Sequence, residues 1–534
     1  AAAAAAAPKP HIFMVIVDDF GWGDAGWHRE VPSREVVTPT MDALVKEGVE
    51  LNRHYVHMMC TPTRSSFYSG RLPIHVLTQL SSPCDKNGAI PRNMTGVAAQ
   101  LKKGGYATHH IGKWDAGMVT PHHTPQGRGY DTSLNYFGHG NWMYSEREWL
   151  GSYNHRGSVP GPHEEDPQTI VDFWDTDKPA NTLNGTGYEE YVFRDRILSI
   201  LADHDQSTPL FLTYASKIVH YPQQAPVEYQ EKFSFITDVD NRRMYHAMVN
   251  FLDDQLLNIT TTMKNLGMWD NTLMVLSSDN GGYVGSNNGG CNSSGSAGSP
   301  GTDWGHGTAC FNGEAGANNY PLRGGKYSMW EGGIRVNAFV SGGFLPAAVR
   351  GTKLDGPNAM IHIVDWYATF AKLATGEMPA DEWAAQSGLP ALDGNDVWPL
   401  VSGQNATSPR TTILVNAQLL VHNQWKYVKA NSSMMEASWG GVQYPNGTTL
   451  ADNTWISTFS TKCTNPEGCL WNVADDVTEQ TEVAAENPAV VDMLQHIMAT
   501  EAATIFSVSH ANDPSCKPYC QQHYGGFYGP WKEV

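Results

Sequence analysis

Residues 11 to 17, HIFMVIV, constrain the fold more than any other stretch of this chain. After His11 every position is apolar, and four of the six are valine or isoleucine. Odd and even positions alike have to be buried, as happens to a strand inside a parallel sheet covered by helices on both faces. The run ends in Asp18-Asp19 and a Gly-rich stretch, FGWGD, which reads as a loop.

The same kind of segment recurs. PLFLTYAS (209–216), NTLMVLSSDNGG (271–282) and IRVNAFVSG (334–342) read as further strands. Between them lie helices. TPTMDALVKEGV (38–49) has Thr38 as N-cap, Pro39 in the first turn and Gly48 at the C′ position. Residues 240–266 form a long amphipathic pattern. Apolar strands alternating with helices predict an α/β fold with a mostly parallel sheet. Around 394–409 the text becomes linker-like. ILVNAQLLV, QWKYVKA and a helical run at 488–504 follow, predicting a smaller α+β unit with an antiparallel sheet. The expected division is a large domain over 1–400 and a smaller one over 410–534. Residues 283–320, rich in Gly, Ser and Asn, are expected to be a functional or surface insert.

At 534 residues the chain suits more than one core. With 41% hydrophobic and 17% charged residues it is globular in composition. No uncharged apolar run is long enough to span a membrane. The formal net charge of −19 makes it a poor non-specific partner for nucleic acid. An anionic ligand would need a local cationic pocket. Seven N-x-S/T sequons, at Asn93, Asn184, Asn258, Asn292, Asn405, Asn431 and Asn446, point to a secretory route. The seven leading alanines lack a basic n-region and are not a complete signal peptide. Of eight cysteines, 463/469, 516/520 and 291/310 are expected to form local disulfides. Cys60 and Cys84 remain, either paired with each other or with Cys60 held apart for chemistry. No CxxC…CxxC spacing suggests a thiol-bound metal.

Ligands of open α/β sheets sit beyond the carboxyl ends of the strands. Two predicted strands end in oxygen-rich pairs, Asp18-Asp19 and Asp279-Asn280. Each pair alone is ordinary turn chemistry. Together, three carboxylates and an amide would cage a hard cation such as Ca²⁺ or Mg²⁺. In CTPTRSSFYSGR (60–71), Thr61 can cap and Pro62 can open a helix that runs to Gly70. Cys60 then lies at a helix N-terminus, with Arg64 one turn in, a setting that suits a nucleophile or an anion.

CTPTRSSFYSGR closely resembles the signature of type I sulfatases. VDDFGWGD, TPTMDALVKEGV, GYATHHIGKW, VHYP, SSDNGG, PLRGGKYSMWEGG and IHIVDWYATFAKLA follow in that family's order and approximate spacing, from about residue 10 to about 400. The arylsulfatase B-like group, which acts on sulfated sugars, looks most similar. The resemblance implies an alkaline-phosphatase-like sandwich. It implies that a formylglycine-generating enzyme oxidises Cys60 to formylglycine, and that Ca²⁺, in preference to Mg²⁺, is held by Asp18, Asp19, Asp279, Asn280 and the modified Cys60. Arg64 is expected to steady the formylglycine, and Lys113 to contact it and the sulfate. His220 would protonate the leaving alcohol, and Lys326 would hold a sulfate oxygen. The substrate class so implied is a sulfated carbohydrate or aryl sulfate, and the address extracellular or lysosome-like.

Two departures stand out. The family usually reads G-K-W-H-L-G, whereas this chain has GKWDAG, with Asp115 in the histidine's place. Asp115 could act as the base, activity could be reduced, or His109, His110, His122 or His123 could fill in. The step from Asn280 to Lys326 is 46 residues (326 − 280), longer than in close relatives, and holds Cys291 and Cys310. Competing readings are a catalytically weak sulfatase-like protein that binds sulfated glycans or is structural, and a phosphomonoesterase or phosphodiesterase. The Cys60 motif argues against the last, because those enzymes usually present Ser or Thr.

Overall fold

The computed structural model describes residues 9–30, 32–148, 170–236, 240–284, 316–432, 463–506 and 508–533. Most of the insert 283–320, with Cys291 and Cys310, lies outside these residues, as do the sequons at Asn292 and Asn446.

A ten-stranded sheet organises the large part of the chain. Its centre is Thr272–Ser278, His11–Val17, Leu210–Ser216, Ala107–Lys113 and Thr132–Tyr136, side by side in that spatial order. All four pairings among them are parallel. Antiparallel pairings add Ala338–Ser341 beyond Thr272–Ser278, and short strands from Trp174 to Pro179 beyond Thr132–Tyr136. The expected mostly parallel sheet is therefore present.

The apolar run that opened the sequence is the middle strand, buried at all seven positions. Ile12, Met14 and Ile16 pack on one face with Phe67 and Tyr68 of the helix Cys60–Ser69 and Trp366 and Phe370 of the helix Asp365–Thr375. Phe13, Val15 and Val17 face the other layer, with Met41 and Leu44 of Pro39–Lys46 and Met248 and Leu252 of Asp240–Asn265. Alternating side chains need apolar partners on both sides, and the result is a helix–sheet–helix sandwich.

Thr38 is the N-cap of Pro39–Lys46, as expected. The strand expected over 334–342 is confined to Ala338–Ser341, because Glu331–Ile334 turns into a short helix. The smaller sheet is antiparallel, Thr412–Asn416, Leu419–His422, Trp425–Val428 and Cys469–Asn472, with Pro488–Ala502 packed against it. The last segment returns to the large core, where Cys516, Cys520, Tyr528 and Trp531 join the cluster containing Ile12.

One disulfide expectation is overturned. Cys516 bonds to Cys84, 432 residues away, and Cys520 is a buried free thiol. Cys516–Tyr524 is a helix, so Cys516 and Cys520 are one turn apart. Their Cβ atoms are then about 5–6 Å apart, too far for a bond that needs about 3.8 Å. The alternative of a Cys60–Cys84 bond falls with it, while Cys463–Cys469 forms as expected.

Candidate active site

Each of the five central strands ends at the same edge of the sheet, and each delivers polar residues there. Asp279 and Asn280 follow Thr272–Ser278, and Asp18 and Asp19 follow His11–Val17. His220 lies past Leu210–Ser216, and Lys113 closes Ala107–Lys113 with Asp115 two residues on. His139 lies three residues past Thr132–Tyr136.

The helix that begins at Cys60 points its N-terminus at this edge. It starts one residue before the expected cap, with Met59 as N-cap and Pro62 inside the first turn, and it stops at Gly70 (φ 72°) as expected. The Cys60 thiol is buried and donates to Asn280 Oδ1 at 3.2 Å and Asp18 Oδ1 at 3.4 Å. Burial, with Asp18 and Asp279 alongside, pushes this thiol well above its ordinary range.

Cations surround the same carboxylates. Lys113 Nζ is 2.7 Å from Asp18 Oδ2, and Lys326 Nζ is 2.7 Å from Asp19 Oδ1. Arg64 Nε donates to Asp279 Oδ2 at 2.9 Å, while a second guanidinium nitrogen donates to the Lys113 carbonyl at 3.0 Å. Asn280 Nδ2 donates to Asp19 Oδ1 at 2.7 Å. All the predicted site residues are thus brought together. Burial raises a carboxyl, and it pushes Asp19 up and Asp279 up to about 7. At Asp18 burial is outweighed by Lys113, His220, Arg64 and Lys326, and the carboxyl is held ionised.

The carboxylates of Asp18 and Asp19 and the amide oxygen of Asn280 are hard donors of the kind that a Ca²⁺-sized cation takes, and Asp279 lies beside them with one oxygen held by Arg64. Ligating atoms of Asp18, Asp19, Cys60 and His220 lie within 4.8 Å of one another. The residues present fit a divalent cation.

His220 Nδ1 is 2.7 Å from the Tyr221 carbonyl oxygen, which can only accept, so Nδ1 carries a proton and Nε2 is the exchanging atom. Burial and then Lys326 hold this imidazole well below its usual range. The negative charge of a bound ester acts in the opposite direction to Lys326.

Asp115 is fully buried, with φ at 46°, a region that non-glycine residues seldom enter. Its Oδ1 accepts from Thr61 Oγ1 at 2.8 Å, and its Oδ2 is 3.6 Å from Lys113 Nζ. The four histidines considered as replacements are placed elsewhere. His109 bonds Thr132, His110 bonds Tyr68, His123 bonds Thr120, and His122 is exposed. Instead His139 approaches, its Nδ1 3.1 Å from Asp115 Oδ1. Sequence reasoning missed His139; its one local signal is a histidine between two glycines, FGHGN.

Comparisons with known proteins agree with one another. The family model described as Sulfatase matches residues 10–376. Arylsulfatase J of Mus musculus is 31% identical, with 99% of this chain and 81% of that protein covered. N-acetylgalactosamine-6-sulfatase of Mus musculus is 27% identical over 76% of this chain and 69% of that protein. Among solved structures, Ps i-CgsB in complex with k-i-k-neocarrahexaose superposes with a TM-score of 0.68 at 23% identity, covering 95% of this chain and 96% of that one. A phosphonate monoester hydrolase of Agrobacterium radiobacter also superposes, at a TM-score of 0.54 and 16% identity over 93% and 96% of the two chains. The fold by itself therefore does not choose between sulfur and phosphorus.

Proposed function

The chain belongs to the sulfatase family, and on that premise we propose that it hydrolyses sulfate esters of a sugar or polysaccharide, with Cys60 converted to formylglycine and one Ca²⁺ among the strand-end oxygens. The observation that carries this reading is the setting of Cys60. A thiol buried between Asp18 and Asn280, with its proton held tightly, is a poor nucleophile as it stands. The same position suits a precursor whose oxygen chemistry replaces that of sulfur.

Asp18, Asp19, Asp279 and Asn280 would hold the cation, which supplies charge neutralisation and lowers the pKa of a neighbouring hydroxyl. Formylglycine at position 60 would supply a hydrated aldehyde, whose hydroxyls would take the place of the thiol as the reacting groups. The chain's own residues do the rest. Lys113 and Lys326, whose ammonium groups lie 2.7 Å from Asp18 and Asp19, would hold the charged ester oxygens. Arg64 keeps Asp279 in place and ties it to the end of the Lys113 strand. His220 keeps one proton on Nδ1, so Nε2 is the atom that would take up a second proton and, in the imidazolium form, donate it to the leaving alcohol. Lys113, Lys326 and Arg64, together with the cation, would supply the local positive charge that an anionic substrate needs in a chain of net charge −19.

Two disulfides among the described residues support an oxidising compartment and hence a secretory, extracellular or lysosome-like address. A formylglycine-generating enzyme would be the maturation partner.

The test is the mass of the tryptic peptide His54–Arg64 from natively produced protein, followed by turnover of an aryl sulfate against the matching aryl phosphate. An aldehyde at position 60 and a preference for sulfate are expected. Unmodified cysteine with no turnover would sink the proposal, and retained binding of sulfated glycan would then make this a binding protein.

A further inference from the structure

His139 is delivered to the site by more than chance placement. Its loop leaves the fifth of five adjacent parallel strands, directly beside the strand that ends in Lys113. Asp172 pins the loop by accepting from the backbone N–H groups of Phe137 at 2.8 Å and Gly138 at 2.7 Å. Gly140 packs against the leaving-group imidazole so closely that a Cβ there would come within 3.1 Å of His220 Nδ1 and 2.5 Å of the Tyr221 carbonyl oxygen. The loop backbone thus runs along His220 at Gly140, the residue after His139.

The imidazole is also oriented. A carboxylate can only accept, and both Asp115 oxygens lie within reach of His139 Nδ1, at 3.1 and 3.3 Å. Nδ1 therefore carries a proton, and Nε2 is the atom left to exchange one. Asp115 is itself held by Thr61 Oγ1, the residue after Cys60, so the pair is coupled to the helix end that carries position 60. The His139 side chain is 31% exposed while Asp115 is fully buried. That is a solvent-reaching imidazole backed by a buried carboxylate, the division of labour of an Asp–His pair in acyl transfer.

Resting on the hydrolytic reading above, we infer that His139 is a second proton-transfer residue of the site and that Asp115 is its positioning residue. His139 Nε2 takes the proton released as the attacking hydroxyl oxygen bonds to sulfur, and Asp115 stays ionised beside the imidazolium. The sulfur–oxygen bond to the alcohol breaks, and that oxygen receives its proton from His220. His139 passes its proton to water and then takes the proton of the second hydroxyl as the carbon–oxygen bond to sulfate breaks and the aldehyde re-forms. Water then rehydrates the aldehyde, and His220 regains its proton from solvent. In this arrangement the negative charge of Asp115 next to an anionic substrate is matched by the imidazolium it helps to form.

The experiment is steady-state turnover of p-nitrophenyl sulfate by the full chain and by H139A, H139Q and D115N, with the mass of the His54–Arg64 peptide read on every preparation. H139A is expected to lose about 100-fold in kcat with KM changed far less, and to recover in part with added imidazole. H139Q, which can still hydrogen-bond Asp115, is expected to be as slow as H139A. D115N should lose about 10-fold, the usual scale for a residue that orients another. Wild-type turnover by H139A, or full recovery in H139Q, overturns the inference and leaves the hydrolytic reading standing. A wild-type chain that carries the aldehyde yet turns over no aryl sulfate overturns both.

Discussion

Asp24 shows how strongly single residues are conditioned by this interior. Its carboxyl is buried, accepts from the Asn318 backbone N–H at 2.7 Å, and is pushed up to about 8 by burial. Well below its ordinary value of 3.8, the group is protonated in folded and unfolded chains alike. As pH rises towards 8 the unfolded chain ionises and the folded one does not, so this group's contribution to stability falls. Asp24→Asn removes that dependence. Denaturant midpoints of the two proteins should therefore converge in acid, and the variant should gain relative to the parent between about pH 4 and pH 8. A constant difference across that range would contradict the assignment. At this scale the sequence was informative about identity and less so about partners. Asp18, Asp19, Asp279, Asn280, Cys60, Arg64, Lys113, His220 and Lys326 were all legible from motif order. The partner of Asp115 was not, because His139 is 24 residues further on and meets it only through the pairing of two parallel strands.

Among elements, the loop carrying Lys326 depends on the smaller sheet. Lys426, on the strand Trp425–Val428 and wholly buried, pairs with Glu479 at 2.6 Å and lies 3.5 Å from Glu331. The Glu479 carboxylate accepts from the Glu331 backbone N–H at 2.6 Å, and its backbone carbonyl accepts from Arg323 at 2.9 Å. Arg323 and Glu331 bracket Lys326. Lys426→Met strands two buried carboxylates and should cost about 3–5 kcal/mol of stability. Turnover per folded molecule should fall as well, because the brace on the Lys326 loop loosens. A destabilised variant with undiminished turnover would show that the brace serves folding alone. The strands between 412 and 428 were readable from alternation. That the small sheet steadies the loop carrying Lys326 was not, because the ion pairs join segments 95 (426 − 331) and 53 (479 − 426) residues apart.

For the whole molecule, the Cys84–Cys516 bond closes the longest loop in the described structure and ties the final segment to the large core. Asp85 accepts from the Ala511 backbone N–H and pairs with His510 at 2.6 Å beside it. The double variant Cys84→Ser, Cys516→Ser should lose about 2–5 kcal/mol, with the segment after Val508 becoming the first site of proteolysis. A non-reducing peptide map of the parent should link the Cys84 and Cys516 peptides. A bond from Cys516 to Cys520 would contradict the structure.

Local physics in the sequence determined the sandwich. Apolar runs demand two covered faces, strand ends in a parallel sheet share one edge, and the residues at those ends announce an anion- and cation-handling site. Only the tertiary structure decided which distant residues complete that site. Disulfide choice, the pairing of Asp115 with His139 and the bracing of Lys326 all depend on distances between segments remote in sequence. Those distances are set by how strands are ordered and layers are packed, not by the spacing of residues along the chain.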